Sequence, residues 1–398
     1  MRGRVRTGLD TIGEAIRRPA AASERARQVV EMLRGKSIGV LTNPSGRGSD
    51  GRSTATVLSG IPGARIAAFF APEHGIAGLK GAGEHVGNEL GPDGIPVYSL
   101  YGATRKPCPE MLSGIDAVVY DLQDAGVRFY TYLSTMGLCM EACAESGAAF
   151  IVLDRPNPIG GEVVEGPIVE PGFRSFVGQY PVPVRYALTP GEAASYLNQA
   201  CSIGARLLIV PMEGWERRMW HSDTGLEWIP PSPGLPTPDS AAAYPATCLL
   251  EGTNVSYGRG TGRPFEMIGA PWMDGPRVAA GIRDRIPEFS AVPVSFTPAK
   301  SEYAGVECHG ALIRVKGRRR FRAIEAGLVL VAMVREFYPG EFKFRPPAEG
   351  SRWHFDLLLG SGTPRAMLEA GSSPAEVVSS WAYGVDQFRR DSASHLLY

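Results

Sequence analysis

Glu73 and His74 stand together where an apolar run, RIAAFFA (65–71), is stopped by Pro72. A carboxyl and an imidazole in that position are general acid/base equipment, a metal site, or a polar turn. Glutamate is a poor capping residue, and the stretch PEHG gives Glu73 no local backbone role, which favours chemistry. Two further apolar runs end in acids: DAVVYDLQDAG supplies Asp121 and Asp124, and AAFIVLDRPNP supplies Asp154. The plainer role for each of these is a helix cap or a turn. VRFYTYL then brings Arg128, Tyr130 and Tyr132 close behind the acidic loop. The aromatics are ordinary core material, whereas a buried arginine calls for an anionic partner, either a neighbouring acid or a ligand.

These side chains are only useful if the fold brings them together. SIGVLT (37–42), RIAAFFA (65–71), IPVYSLY (95–101), DAVVYDL (116–122), AAFIVLD (148–154) and RLLIVP (206–211) read as strands. Helical patterns fall between several of them, notably YLSTMGLCMEACAESG and TPGEAASYLNQACS, the second with Thr189 as N-cap, Pro190 in the first turn and Glu192 in the capping-box position. Alternation of this kind predicts a mostly parallel α/β sheet. Ligands bind outside the carboxyl ends of such strands, so Glu73, His74, Asp121, Gln123, Asp124, Asp154 and Asn157 are expected around one cleft.

From about 212 to 275 the pattern gives way to turns, as in PPSPGLPTPDS and EGTNVSYGRGTGRP. A loop system of that length in a compact protein is usually functional. A strand, ALIRVKG, and helices near 322–337 and 374–390 follow. The expected organisation is an N-terminal extension (1–30), a catalytic α/β domain (31–240) and a smaller C-terminal α/β domain (241–398) closing a cleft.

The totals exclude several classes. With 398 residues the chain exceeds a single ordinary core. Lys+Arg and Asp+Glu both number 41, which argues against a nucleic-acid or anionic-membrane partner. The six cysteines show no CxxC spacing and read as free thiols in a reducing compartment. The basic N-terminus lacks an apolar core segment, and no uninterrupted apolar stretch is long enough to span a bilayer, so the expectation is a cytoplasmic protein. GAGEHVG (81–87) and GRGTG (258–262) do not sit between a strand and a helix as a dinucleotide fingerprint must. Neither an HExxH nor a GxSxG pattern occurs. A metal held by Glu73, His74, Glu84 and His85 is the minor reading, and no cofactor is expected. His221, His309, His354 and His395 are isolated and read as structural or surface residues.

Six stretches in order, LTNPSG (41–46), PEHGIAG (72–78), DLQDAGVRFYTYLSTM (121–136), DRPNPIGG (154–161), EGTNVSYGRGTGRPFE (251–266) and GAPW (269–272), resemble the exo-acting β-N-acetylmuramidase family of NamZ type. The similarity runs from about residue 30 to the terminal HLLY. It implies a Rossmann-like domain with a second domain over its cleft, and release of terminal N-acetylmuramic acid from the non-reducing end of peptidoglycan fragments in cell-wall recycling. By the same resemblance Glu73 is the catalytic acid/base with His74 orienting it, and Asp121 or Asp124 supplies a second carboxylate, with Glu251 in reserve. Asn43, Gln123, Arg128, Tyr130, Asp154, Asn157, Glu251, Asn254 and Arg259 become substrate-binding candidates, with Arg128 and Arg259 reading the lactyl carboxylate. A glycosidase needs such a carboxyl pair, one protonated at the leaving oxygen, and an apolar strand-end pocket gives Glu73 a reason to hold its proton. The chain departs from the family pattern at Tyr186 and Ala187, where His and Gly are expected, and at Gly234, where Asn is expected. Both departures remove polar side chains from loops expected at the cleft. The rival functions are a non-catalytic muropeptide-binding or sensing protein and a metal-dependent hydrolase.

Overall fold

A computed structural model describes residues 4–398 except 82, 85 and 86. Seven strands form one sheet: β1 (Ser37–Thr42), β2 (Arg65–Ala71), β3 (Glu89–Leu90), β4 (Pro96–Ser99), β5 (Ala117–Asp121), β6 (Ala149–Leu153) and β7 (Arg206–Val210), in the order β3-β4-β2-β1-β5-β6-β7. All neighbours are parallel except the short edge strand β3, which runs antiparallel to β4. The central strands β1, β5 and β6 are buried almost throughout, and their near-continuous apolar sequences suit a sheet covered on both faces. The chain builds outward from β1 to β2 and β4, then crosses to β5, β6 and β7 on the other side. The sheet therefore has a switch point between β1 and β5, where loops diverge and a crevice opens.

Register sets what meets at the carboxyl edge. Thr42 pairs with Asp121, Leu41 with Phe70 and Ala71 with Ser99. The segments carrying Asn43, Glu73, Asp121 to Asp124 and Asp154 thus leave the sheet on one side, as the parallel alternation predicts.

Residues 4–34 are more than an appendage. Helices Gly8–Arg17 and Glu24–Leu33 place Leu9, Ile12, Val29 and Leu33 in the apolar layer beneath one face of the sheet. The C-terminal part has a second sheet, β8 (Met267–Ala270), β9 (Phe289–Phe296) and β10 (Cys308–Val315), antiparallel in the order β8-β10-β9. Helices Gly275–Arg285 and Ala323–Phe337 contribute to its core, the latter where the apolar stretch 324–337 predicts a core helix. The expected C-terminal helix is two, Pro374–Ser380 and Ala382–Ser392, broken at Trp381. The long turn-rich region also holds a helix, Pro238–Thr247, with Pro238 at its first position. A single apolar cluster runs from Leu41 and Phe70 in the large sheet to Ile268, Phe289 and Leu330 in the small one. No helix among the described residues is long and apolar enough to cross a membrane.

Candidate active site

Pro72 ends β2 because it has no N–H to continue the ladder. The chain then turns sharply: His74 and Gly75 have φ of 76° and 77°, and the Gly75 N–H donates to the Pro72 carbonyl at 3.0 Å. A left-handed histidine is uncommon, and strain of this kind gathers at functional positions. Its ring is fixed by Nδ1 at 2.7 Å from the Lys80 carbonyl, so Nδ1 carries the proton and Nε2 is left as an acceptor. Burial pushes the His74 pKa down against the opposing pull of the Glu73 carboxylate, which keeps the imidazole neutral.

Glu73 is buried and held by both oxygens. The Gly83 N–H donates to Oε1 at 2.9 Å and the Thr131 hydroxyl to Oε2 at 2.7 Å. Thr131 precedes helix Tyr132–Ser146 in the N-cap position, yet its side chain makes no capping bond. The hydroxyl that would normally bond the first turn of the helix serves Glu73 instead.

Glu73 and His74 open on a cavity of about 680 Å³ between the two sheets. From the large-sheet side it is lined by Tyr101, Arg105 and Tyr130, and from the C-terminal side by Tyr244, Glu251, Arg259 and His354. Arg259 donates to Glu251 Oε1 at 2.7 Å, and His354 Nε2 lies 3.3 Å from Oε2. Burial pushes the Glu251 carboxyl up, but His354 and the Arg259 guanidinium outweigh it and hold the group below the usual glutamate value. The Arg259 guanidinium packs over the rings of Tyr257 and Phe265, each centroid 5.5 Å away. Three buried polar atoms on lining residues have no protein partner: Tyr130 OH, Ser175 Oγ and Arg259 Nε. Such atoms are costly unless a ligand engages them.

The other expected site residues are engaged by partners within the chain. Asp121 is fully buried, paired with Arg155 and accepting from the Thr54 hydroxyl at 2.6 Å. Asp154 accepts from Thr189, Gly191 and Tyr398 at 2.8 Å each, tying the start of helix Pro190–Ala200 to the C-terminal residue. Asn157 shapes its own turn, bonding the Leu188 carbonyl and the Ile159 N–H. Asn43 bonds Tyr132 and the Pro231 carbonyl, and Gln123 bonds the Asp124 and Pro156 carbonyls. Asn254 clamps the 341–343 segment through the Glu341 carbonyl and the Lys343 N–H. Asp124 is buried behind the cavity wall, where it accepts from the Tyr186 hydroxyl.

Arg128 is held by backbone rather than by an acid. It is wholly buried, but its partners are the carbonyls of Pro167, Val182 and Leu358 at 2.8, 2.6 and 3.1 Å, with no carboxylate among them. These carbonyls take its Nη donors while its Nε is buried without a partner, and Arg128 is not among the cavity-lining residues. Tyr186 likewise is not a loss of polarity, since its hydroxyl reaches Asp124. Gly234 does line the cavity. His354, expected to be isolated, lines the cavity. So do Tyr101, Arg105 and Thr131, of which only Thr131 carried a signal, its place in the DLQDAGVRFYTYL stretch. His85 lies outside the described residues, and among those described no group of three or more His, Cys, Asp and Glu is placed to hold a metal.

Residues 38–239 match the family model described as exo-beta-N-acetylmuramidase NamZ, N-terminal, and residues 242–398 match its C-terminal counterpart. The chain belongs to the NamZ family. It is 41% identical over 397 residues to the peptidoglycan β-N-acetylmuramidase NamZ of Bacillus subtilis strain 168, a match covering 99% of this chain and 92% of that one. Two crystal structures of DUF1343 family proteins from Bacteroides fragilis NCTC 9343 share the fold. One has a TM-score of 0.87 at 38% identity, covering 99% of each chain. The other has a TM-score of 0.75 at 27% identity, covering 100% of this chain and 99% of that one. The NamZ family is one of glycosidases, and both of its family models find their counterparts here.

Proposed function

We propose that this protein is an exo-acting glycoside hydrolase that releases terminal N-acetylmuramic acid from the non-reducing end of peptidoglycan fragments, as part of cell-wall recycling. The observation that carries this is the pair Glu73 and Glu251, contributed by the two halves of the chain to one cavity large enough for a sugar. Glycoside hydrolysis needs two carboxyl groups flanking the scissile bond.

In this mechanism Glu73 donates a proton to the leaving oxygen, oriented by Thr131 and the Gly83 N–H. Neutral His74, with Nε2 free to accept, accompanies it. Glu251, held in the charged form by Arg259 and His354, acts on the anomeric side, either activating water or attacking directly. Asp121 and Asp124 are poorer candidates for that second role, because their carboxylates are engaged by Thr54, Arg155 and Tyr186.

Kinetics on paired substrates test the assignment. Glu73→Gln should lower kcat on the natural disaccharide about 10²- to 10⁴-fold, with a smaller loss on a nitrophenyl muramide whose leaving group needs less protonation. Glu251→Gln should lower both alike. Wild-type turnover by Glu73→Gln on the disaccharide would remove it as the acid. A folded protein that binds muropeptides without turning over either substrate would favour the sensor.

A further inference from the structure

A second concavity, of about 780 Å³, lies between the loop after β6 and the turn that follows β10, and shares no lining residue with the catalytic cavity. Seven cationic side chains line it against two acids, Glu162 and Asp223. The imbalance stands out in a chain whose Lys+Arg and Asp+Glu are equal at 41 each. The cations come from both halves of the chain: Arg185, Arg217 and Arg218 from one, Lys316, Arg318, Arg319 and Arg320 from the other.

Part of this charge is spent internally. Arg185 pairs with Glu165 at 3.2 Å, Arg217 with Glu192 at 2.7 Å and Arg218 with Glu216, and Arg318 lies 3.6 Å from Asp223. Lys316, Arg319 and Arg320 have no acidic partner among the described residues. Arg185 is 1% exposed; Glu165 and the Phe321 and Ile159 carbonyls take its terminal N–H groups, and only its Nε is buried without a partner. The ring centroid of Trp220 lies 5.8 Å from the Arg185 guanidinium and 5.6 Å from that of Arg318. Like charges converging on one concavity repel unless an anion joins them, and low-dielectric walls strengthen both effects.

We propose that this concavity binds a phosphate-bearing ligand with several negative charges. Guanidinium forks match phosphate oxygens through paired hydrogen bonds, and the open shape admits a compact oligophosphate or the end of a phosphodiester chain. A single carboxylate would carry less charge than the three lining cations without an acidic partner, Lys316, Arg319 and Arg320. The site is separate from the sugar cavity and does not depend on the glycosidase assignment.

Calorimetric titration of the full chain with tripolyphosphate at physiological ionic strength tests this, with citrate as a polycarboxylate control and a short glycerol-phosphate oligomer as the phosphodiester arm. The expected result is saturable one-to-one binding of tripolyphosphate, with citrate weaker by about tenfold or more, one such factor being the loss of a good charged contact. Arg319→Glu with Arg320→Glu should weaken tripolyphosphate by roughly 100-fold, on the same arithmetic of two contacts, while muramide turnover and thermal midpoint stay unchanged. Stronger binding of the oligomer would mark a polymer end as the source, and stronger binding of tripolyphosphate a free oligophosphate. Equal affinity of the double variant, citrate binding as tightly as tripolyphosphate, or competition between tripolyphosphate and a muramide for one site would each overturn the proposal.

Discussion

Asp124 illustrates how this fold treats a charge it does not expose. Burial pushes its carboxyl up to about 7, and Oδ1 has no partner while Oδ2 accepts from Tyr186 and the Gly126 N–H. The folded value lies above that of the unfolded chain, near 4. The neutral form is therefore favoured by folding, a contribution fully present below about pH 4 and lost as pH rises through 7. Asp124→Asn stays neutral throughout. Its stability should match wild type near pH 4 and exceed it above pH 7 by on the order of a few kcal/mol, read from denaturant midpoints across that range; a constant difference at all pH values would refute the account. Arg105 poses the opposite case. It is exposed at the cavity, stacked 4.3 Å over the Phe176 ring and 5.4 Å over Tyr101, and pairs with no acid among the described residues. With Arg259 engaged by Glu251, we propose Arg105 as the guanidinium that would read the lactyl carboxylate separating muramic acid from glucosamine under the proposed activity. Arg105→Ala should raise KM for muramides about tenfold, the low end for a charged hydrogen bond, and leave any glucosaminide activity nearly unchanged. Equal losses on both sugars would remove Arg105 from that role.

The elements that carry the chemistry were legible to different degrees, for physical reasons. β1 and β2 begin and end where their apolar runs do, and Thr189, Pro190 and Glu192 form the expected capping box, because each signal is local. β8 and β9 were not legible: both belong to an antiparallel sheet whose pairing with β10 is non-local, and β9 carries Pro293 and exposed positions that blur its alternation. Glu73 was legible as a poor cap at a strand end, whereas Arg105 and His354 had no local pattern and acquire meaning only when distant loops meet. Ala187 shows a departure from family pattern acting on the backbone. It has φ of 58° where the family expects glycine, in the turn before helix Pro190–Ala200, and Arg217 holds its carbonyl. Left-handed alanine costs about 1–2 kcal/mol. Replacement by glycine would relieve that, but loses a buried methyl worth about 0.8 kcal/mol and adds unfolded-chain entropy worth about 0.4–1 kcal/mol. The prediction is that Ala187→Gly leaves stability within about 1 kcal/mol of wild type. Ala194→Gly, buried inside the helix, should cost roughly 2 kcal/mol from helix propensity and methyl burial together. Equal denaturant midpoints for the two variants would mean that the turn at Ala187 is not strained.

At the scale of the molecule, the proposed catalysis by Glu73 and Glu251 would require the two halves to hold a fixed separation, since that distance decides which carboxylate chemistry is possible. The family models divide the chain between residues 239 and 242, but its packing does not divide there. Phe129 meets Tyr244 edge-on at 5.3 Å, Arg128 reaches the Leu358 carbonyl and Arg185 the Phe321 carbonyl. Glu165, paired with Arg185, accepts the N–H groups of Ala323 and Ile324 and so caps helix Ala323–Phe337 from the other half. The apolar cluster shared by both sheets means that separating them would expose core, at about 25 cal/mol for each Å² uncovered. Chains of this length often unfold in stages. Here the expected outcome is one calorimetric transition whose enthalpy matches the van't Hoff value, and a fragment ending at residue 240 should lack a cooperative melt, because Tyr130, Arg128 and Arg185 lose the groups that cover or bond them. Two resolved transitions in the full chain, or a fragment 1–240 that melts sharply on its own, would show that the halves are independent units, and the spacing of Glu73 and Glu251 would then be set by substrate rather than by the fold.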